Sequence, residues 1–86
     1  MPVKLLISND ELDQILNDAH DYYQLVEDTI CNVVGFVETH QLIFQDDNNN
    51  YYSVYYENVP DMVYQWISEP VKVIRKSITT EHWIIV

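Results

Sequence analysis

The chain has 86 residues, enough for one domain, and carries 14 Asp and Glu against 4 Lys and Arg, for a formal net charge of −10. Its 48% hydrophobic and 13% aromatic residues can build a packed core, which excludes wholesale disorder. The negative charge excludes direct nucleic-acid binding, which needs clustered Lys and Arg to displace counterions from phosphates.

The N-terminal third predicts a short strand over residues 3–7, or an apolar segment that leads into the next element, and then one long helix. Ser8, with Glu11 three residues later, has the spacing of a capping box that starts a helix. Beyond it, apolar side chains recur every three or four residues, at Leu12, Ile15, Leu16, Ala19, Tyr22 or Tyr23, and Val26. This period predicts an amphipathic helix over residues 9–28.

The middle of the chain predicts an antiparallel meander of three strands. β-branched residues favour a first strand over residues 30–37, with the only glycine, Gly35, inside it. The segments that follow alternate turns and strands: a turn at 38–40, a strand at 41–45, a turn rich in Asp and Asn at 46–50, and a strand at 51–57.

The C-terminal part predicts a short helix and a final hairpin. Pro60 suits a first helical turn, and the apolar stripe that follows is Met62, Val63, Trp66 and Ile67. Two β runs, 71–74 and 82–86, then flank a connection at 76–80. Together the elements predict an α+β fold: one long amphipathic helix packed on an antiparallel sheet of about four to five strands, with a second short helix.

The charges are laid out unevenly along the chain. The basic residues are Lys4, Lys72, Arg75 and Lys76, and the stretch from Leu5 to Val71 has none while it holds thirteen of the fourteen acids. One interpretation is solubility, which needs a net charge of only about 2–8 in magnitude for a small domain. The other is a negative face that attracts a positively charged partner.

The predicted helix carries a ridge of acids opposite its apolar stripe. Asp10, Asp13, Asn17 or Asp18, and Asp21 follow one another at three- or four-residue intervals, roughly 5–6 Å apart along a helix axis. This scale is comparable to the phosphate spacing of a duplex strand, so the ridge can imitate a nucleic-acid backbone. The alternative is an ordinary solvated helix face.

Seven tyrosines form the second group of candidate binding residues. In a strand, Tyr51 and Tyr55 share one face, while Tyr52 and Tyr56 share the other. We expect one face to line the core and the other to be partly exposed, where tyrosine is a favoured interface residue.

The sequence predicts no catalytic site, no metal site and no cofactor. It lacks a glycine-rich phosphate loop, a nucleophile elbow and any Cys/His metal spacing. Asp46, Asn48, Asn50 and Glu57 match the EF-hand positions 1, 3, 5 and 12, but Tyr51 stands where the sharp turn needs glycine. A polar hairpin loop is therefore the better interpretation.

We expect a cytoplasmic protein that forms a single domain over residues 1–86. The single cysteine, Cys31, excludes an internal disulfide and fits a reducing compartment. No apolar run approaches the roughly 20 residues that span a bilayer, and no signal peptide opens the chain.

The chain resembles the small acidic proteins with which phages disable host nucleic-acid enzymes, such as anti-CRISPR proteins, restriction inhibitors and uracil-DNA glycosylase inhibitors. The likeness is one of size, charge and α+β layout, and the basic stretch 72–76 departs from it. The resemblance implies DNA mimicry of a basic groove on a protein such as a CRISPR effector nuclease, in the host cytoplasm. No single family's functional residues can be carried across, so the predicted partner-binding residues come from the charges and tyrosines of this chain: Asp10, Asp13, Asp18, Asp21, Glu27, Asp28, Asp46, Asp47, Tyr51, Tyr52, Tyr55 and Tyr56.

Two other functions fit the same sequence. The first is an immunity or antitoxin-like protein that neutralises a basic toxin, which would use the same charge. The second is a self-associating structural subunit with residues 51–56 at a dimer edge. The sequence leaves both a monomer and a homodimer open.

Overall fold

The structure, a computed structural model, describes residues 4–59, 64–77 and 81–86. Across these residues the chain forms one α-helix and one antiparallel sheet of six strands. The helix, α1, is Asn9–Leu16; the strands are β1 Gln24–Val34, β2 Val37–Gln45, β3 Tyr51–Asn58, β4 Gln65–Trp66, β5 Val71–Ser77 and β6 Glu81–Ile85.

The sheet is curled into a half-barrel with the strand order β1-β2-β3-β5-β6. One half of β3 pairs with β5, and its other half pairs with the short strand β4. The indole N–H of Trp83 in β6 donates a hydrogen bond to the Glu27 carboxylate in β1. Because these two strands are the outermost in the order, the contact shows that the curl brings the sheet's edges together.

The α+β prediction of one long helix packed on a sheet, with a second short helix, is wrong. Among the described residues, sheet accounts for 54% and helix for 11%. The helix ends at Leu16 because Asp18 adopts a left-handed backbone, with φ of 55°. The N–H groups of Asp18 and Ala19 then bond to carbonyls of the last helical turn, at 3.0 and 2.8 Å, in a Schellman arrangement.

The predicted continuation of the helix to residue 28 is replaced by β1. Residues 26–34 include five β-branched side chains, which fit a pleated strand better than a helix. The three- and four-residue apolar spacing therefore ends in an extended segment. The acidic ridge that depended on a continuous helix is lost with it.

Two details of the predicted meander are also wrong. Gly35 does not lie inside a strand: with φ of 61° it forms the turn with Phe36 between β1 and β2. Residues 38–40, predicted as a turn, belong to β2. The turn at 46–50 and the strand that starts at Tyr51 are confirmed.

The C-terminal predictions have mixed outcomes. The helix predicted after Pro60 does not extend to Trp66, which lies in a strand paired with β3; residues 60–63 lie outside the described residues. Strands β5 and β6 confirm the predicted final hairpin, although residues 78–80 of its connection lie outside the described residues. Near the N-terminus, Lys4 makes a single β-bridge with Val71 instead of the predicted strand.

The main core lies between α1 and one face of the sheet. The Ser8 side chain and Glu11 form the predicted capping box, which fixes the start of α1. Leu12 and Ile15 of the helix pack in a cluster that the sheet completes with Leu42, Phe44, Tyr52, Val54 and Tyr56. Within the described residues, the eight-residue α1 is the longest helix, far short of a membrane span.

Candidate partner-binding site

Two connections meet at one end of the sheet because β1 starts where β2 ends. Gln24, the first residue of β1, pairs with Gln45, the last residue of β2. The segment 17–23 before β1 therefore lies beside the segment 46–50 after β2. We call these two segments the acidic end; their carboxylates are Asp18, Asp21, Asp46 and Asp47.

His20 organises the first segment of the acidic end. Its Nδ1 accepts the backbone N–H groups of Tyr22 at 3.0 Å and Tyr23 at 3.2 Å. An accepting Nδ1 carries no hydrogen, so the hydrogen of the neutral ring sits on Nε2, which lies 3.6 Å from Oε1 of Glu11. The Tyr23 ring then packs edge-on against Phe44, with centroids 5.3 Å apart, and anchors the segment to the core.

Asp46 organises the second segment. Its buried carboxylate accepts the backbone N–H groups of Asn48 at 2.9 Å and Asn50 at 3.0 Å, and the Tyr52 hydroxyl lies 3.4 Å away. Burial acts to raise the pKa of this carboxyl, but the hydrogen bonds outweigh burial and hold the pKa below its ordinary value. Asp46 is therefore an ionised structural group of the hairpin loop.

Three other predicted carboxylates also act within the fold. Asp13 accepts the indole N–H of Trp66 at 2.8 Å, which ties α1 to β4. Glu27 accepts from Trp83, as described above. Asp28 lies 3.0 Å from Nδ1 of His40 and accepts the Tyr56 hydroxyl.

The cluster around His40 was not predicted from the sequence. Nε2 of His40 lies 3.3 Å from Oε1 of Glu38, so each ring nitrogen faces a carboxylate, with Asp28 on the other side. The ring also stacks on Tyr56, with centroids 4.7 Å apart and planes 16° apart. The one available signal is the spacing of Glu38 and His40, which share a face of a strand.

The remaining four predicted acids are exposed and unengaged. Among the residues that the structure describes, the carboxylates of Asp10, Asp18, Asp21 and Asp47 have no ion pair and no hydrogen bond. Asp10 lies in the first turn of α1, and the other three belong to the acidic end. Three of the eight predicted acids, Asp18, Asp21 and Asp47, thus lie unengaged in the two connections at this end of the sheet.

The tyrosines of β3 divide between the two faces as predicted. Tyr52 and Tyr56 are buried in the core cluster, so they offer no partner surface. Tyr51 and Tyr55 lie on the opposite face, where Tyr51 packs against Trp83 and Tyr55 is 36% exposed. Tyr22, at the acidic end, is 40% exposed and is the tyrosine nearest in sequence to a free carboxylate.

The described residues of the acidic end form an exposed, charged surface. In the described part of the chain, no three His, Cys, Asp or Glu side chains converge as metal ligands, and no pocket encloses a small molecule. The acidic end offers three exposed carboxylates, Asp18, Asp21 and Asp47, and the exposed ring of Tyr22. Comparison of the chain with protein-family models, with curated proteins and with solved structures finds no match.

Proposed function

We propose that the protein binds a basic, nucleic-acid-binding protein in the cytoplasm and inhibits it by competing with nucleic acid for its groove. The observation that carries this proposal is the set of exposed carboxylates at Asp18, Asp21 and Asp47, which no described basic residue neutralises. Acids without cations repel one another and cost stability, a cost that a positively charged partner relieves. A host enzyme such as a CRISPR effector nuclease offers a groove of that sign.

In this proposal the protein imitates nucleic acid through the number of acids at one end of the molecule, and not through a regular spacing of acids along a helix. Because α1 ends at Leu16, Asp18 and Asp21 do not continue the helical ridge that begins at Asp10. The acids of the two connections instead present several charges at one end of the molecule. Tyr22 adds contact area at low entropic cost, which slows dissociation once charge has steered the encounter.

A pulldown with the tagged protein tests whether a partner exists. We expect a basic nucleic-acid enzyme to be retained at low salt, to elute at high salt, and to be displaced by added DNA. A basic toxin that is indifferent to DNA would favour the immunity-protein alternative and contradict inhibition at a nucleic-acid groove. Retention of no protein at low salt would contradict the proposal as a whole.

Matched charge reversals test whether the acidic end is the site. The double substitution Asp21→Lys with Asp47→Lys removes two free carboxylates, and we expect it to weaken binding at least tenfold and to reduce the salt dependence. Asp10→Lys with Glu57→Lys changes the net charge equally at positions outside the acidic end and should leave most of the affinity. Equal losses from the two variants would show that only net charge matters. Asp13→Lys is unsuitable because Asp13 holds Trp66.

A further inference from the structure

The backbone of residues 20–23, in the first segment of the acidic end, is held by one histidine. Among the residues that the structure describes, no backbone carbonyl accepts the N–H of Tyr22 or of Tyr23. Both N–H groups are donated instead to Nδ1 of His20, at 3.0 and 3.2 Å. The His20 side chain is only 11% exposed, which leaves its ring little contact with water. The local backbone therefore depends on a lone pair at Nδ1.

The other ring nitrogen, Nε2, holds the hydrogen of the neutral ring. It lies 3.6 Å from Oε1 of Glu11, and Oε2 of the same carboxylate accepts the backbone N–H of Ser8 at 3.3 Å in the capping box of α1. The start of the helix thus fixes a negative charge beside Nε2, which keeps the hydrogen on this nitrogen. A second proton on the His20 ring therefore goes to Nδ1.

A proton on Nδ1 is incompatible with the two hydrogen bonds. The protonated ring has two N–H donors and no acceptor, so the new N–H group faces the N–H groups of Tyr22 and Tyr23. Glu11 does not compensate, because its carboxylate is 46% exposed and already faces Nε2 in the neutral state. The His20 ring therefore gains the proton only when both backbone N–H groups move away from it.

The surroundings of His20 contain no positive group that opposes this proton. Among the described residues, the titratable groups are Glu11 from α1; Asp18, Asp21, Tyr22 and Tyr23 from its own segment; and, beyond the Tyr23 ring, Asp46 and Tyr52 from the hairpin loop and β3. All of them are negative or neutral. Histidine side chains change charge between about pH 5 and about pH 8.

We propose that His20 is a pH-dependent latch on the acidic end: the neutral ring holds residues 20–23 in place, and the protonated ring releases them. The released state binds a proton that the held state does not, so the held state predominates at the upper end of this pH range and is lost as the pH falls. Release moves the free carboxylate of Asp21 and the exposed ring of Tyr22.

The second segment of the acidic end does not respond in this pH range. The Asp46 carboxylate holds the hairpin loop through the N–H groups of Asn48 and Asn50, and these hydrogen bonds keep the pKa of Asp46 below its ordinary value. Asp46 therefore stays ionised above about pH 4. Acidification changes the first segment alone.

The latch would regulate the binding of a basic partner. The released state binds such a partner more weakly, because Asp21 and Tyr22 are displaced and the charged His20 ring reduces the negative charge of the acidic end. This consequence rests on the proposed function, whereas the latch itself does not.

NMR spectra of the isotope-labelled protein between about pH 8 and about pH 5 test the latch without a partner. We expect the backbone amide signals of Tyr22 and Tyr23 to shift together with the ring signals of His20, while the amide signals of Asn48 and Asn50 stay in place. His20→Asn supplies an oxygen that accepts N–H groups and gains no proton in this range, so its Tyr22 and Tyr23 signals should not depend on pH. His20→Ala removes the acceptor, so its signals should be those of the released segment at both pH values.

Other results of the NMR titration would overturn the latch. The amide signals of Tyr22 and Tyr23 could stay in place while the His20 ring titrates, or the ring could fail to titrate at all. The same pH dependence in His20→Asn would assign the change to another group. Equal shifts at Asn48 and Asn50 would show that the whole acidic end changes, and not the first segment alone.

The affinity for a fluorescent oligolysine peptide tests the regulation. We expect acidification from about pH 7.5 to about pH 5.5 to weaken binding about threefold more in the original protein than in His20→Asn. Equal losses in the two proteins would show that the latch does not regulate binding. An original protein that does not bind the peptide at about pH 7.5 would contradict the proposed function, while the amide signals would still decide the latch.

Discussion

The hydroxyl of Tyr56 donates a hydrogen bond of 2.7 Å to Oδ2 of Asp28, so it joins β3 to β1 across the intervening strand β2. Asp28 is 28 positions away in sequence and also holds His40 through its other oxygen. One carboxylate thus fixes the relative positions of three strands. Asp28, which the sequence predicts to be a partner-binding residue, stabilises the sheet instead.

Tyr56→Phe should lower the free energy of unfolding by about 1.5–3 kcal/mol at neutral pH, because it removes a hydrogen bond to a charged acceptor. Burial, together with the hydrogen bond to Asp28, raises the pKa of the Tyr56 hydroxyl well above its ordinary value of 10.0. The folded state therefore holds this proton more tightly than the unfolded state does. Its contribution is complete below about pH 10 and is lost as the pH rises through the folded pKa.

Urea unfolding of both proteins between about pH 8 and about pH 11 checks this prediction. The other tyrosines of the core titrate in both, so the difference between the two curves isolates Tyr56. We expect that difference to shrink above about pH 10. A difference that stays constant into the alkaline range would show that the Tyr56 proton does not contribute.

Asp46→Asn should destabilise the protein by about 1–2 kcal/mol at neutral pH, because an amide cannot accept all the hydrogen bonds that Asn48, Asn50 and Tyr52 make to the carboxylate. The folded pKa of Asp46 lies below the unfolded value, so its contribution is present above about pH 4 and is lost as the pH falls through the folded pKa. Asp47→Asn is the matched control: its exposed side chain makes no hydrogen bond with the described residues, so we expect no loss of stability. Unfolding curves for the original protein and the two variants, at neutral and at acidic pH, check this prediction. A loss of stability in Asp46→Asn that stays the same at both pH values would contradict the mechanism.

The sequence correctly predicts the elements whose residues locally prefer the conformation that they adopt in the structure. Asp46 and its Asn neighbours identify a turn because they bond to their own backbone, and the β propensity and length of the segment that starts at Tyr51 identify a strand. The sequence does not predict where α1 ends, because the residue with the left-handed backbone is Asp18 and not glycine. The helical spacing of apolar residues also continues past it. The sequence does not predict the turn at Gly35 and Phe36 for a similar reason. An aromatic residue among β-branched residues is typical of a strand, although Phe36 is exposed in the turn.

For the candidate site, the sequence predicts only that its charge is negative. Composition shows that the chain is acidic, but not which carboxylates are free. That depends on contacts across long sequence separations, such as Asp13 with Trp66 and Glu27 with Trp83. Neither partner stands out in the sequence as a hydrogen-bond donor to an acid. A count of charges in the sequence therefore predicts partner binding for all the acids, including those that stabilise the fold.

Asp18→Gly should stabilise the protein by about 0.5–1 kcal/mol, because glycine adopts the left-handed backbone of a helix C-terminus without the steric cost of a Cβ atom. Asp18→Ala removes the same carboxylate but keeps a Cβ atom at φ of 55°, so it should be less stable than Asp18→Gly. Urea unfolding of the two variants separates the backbone effect from the charge effect. If both gain stability equally, relief of acidic repulsion is the cause, and the left-handed geometry contributes nothing measurable.

Gly35→Ala should cost about 1–2 kcal/mol, the penalty of holding an L-residue at a positive φ. The cost is purely conformational, because nothing lies within 4 Å of the position that an added Cβ atom would occupy. Gly35→Asn should cost less, since Asn tolerates left-handed geometry better than Ala does. Thermal unfolding of the three proteins gives the order Gly, Asn, Ala from most to least stable. An alanine variant as stable as the original would show that the turn between β1 and β2 relaxes to a negative φ at no cost.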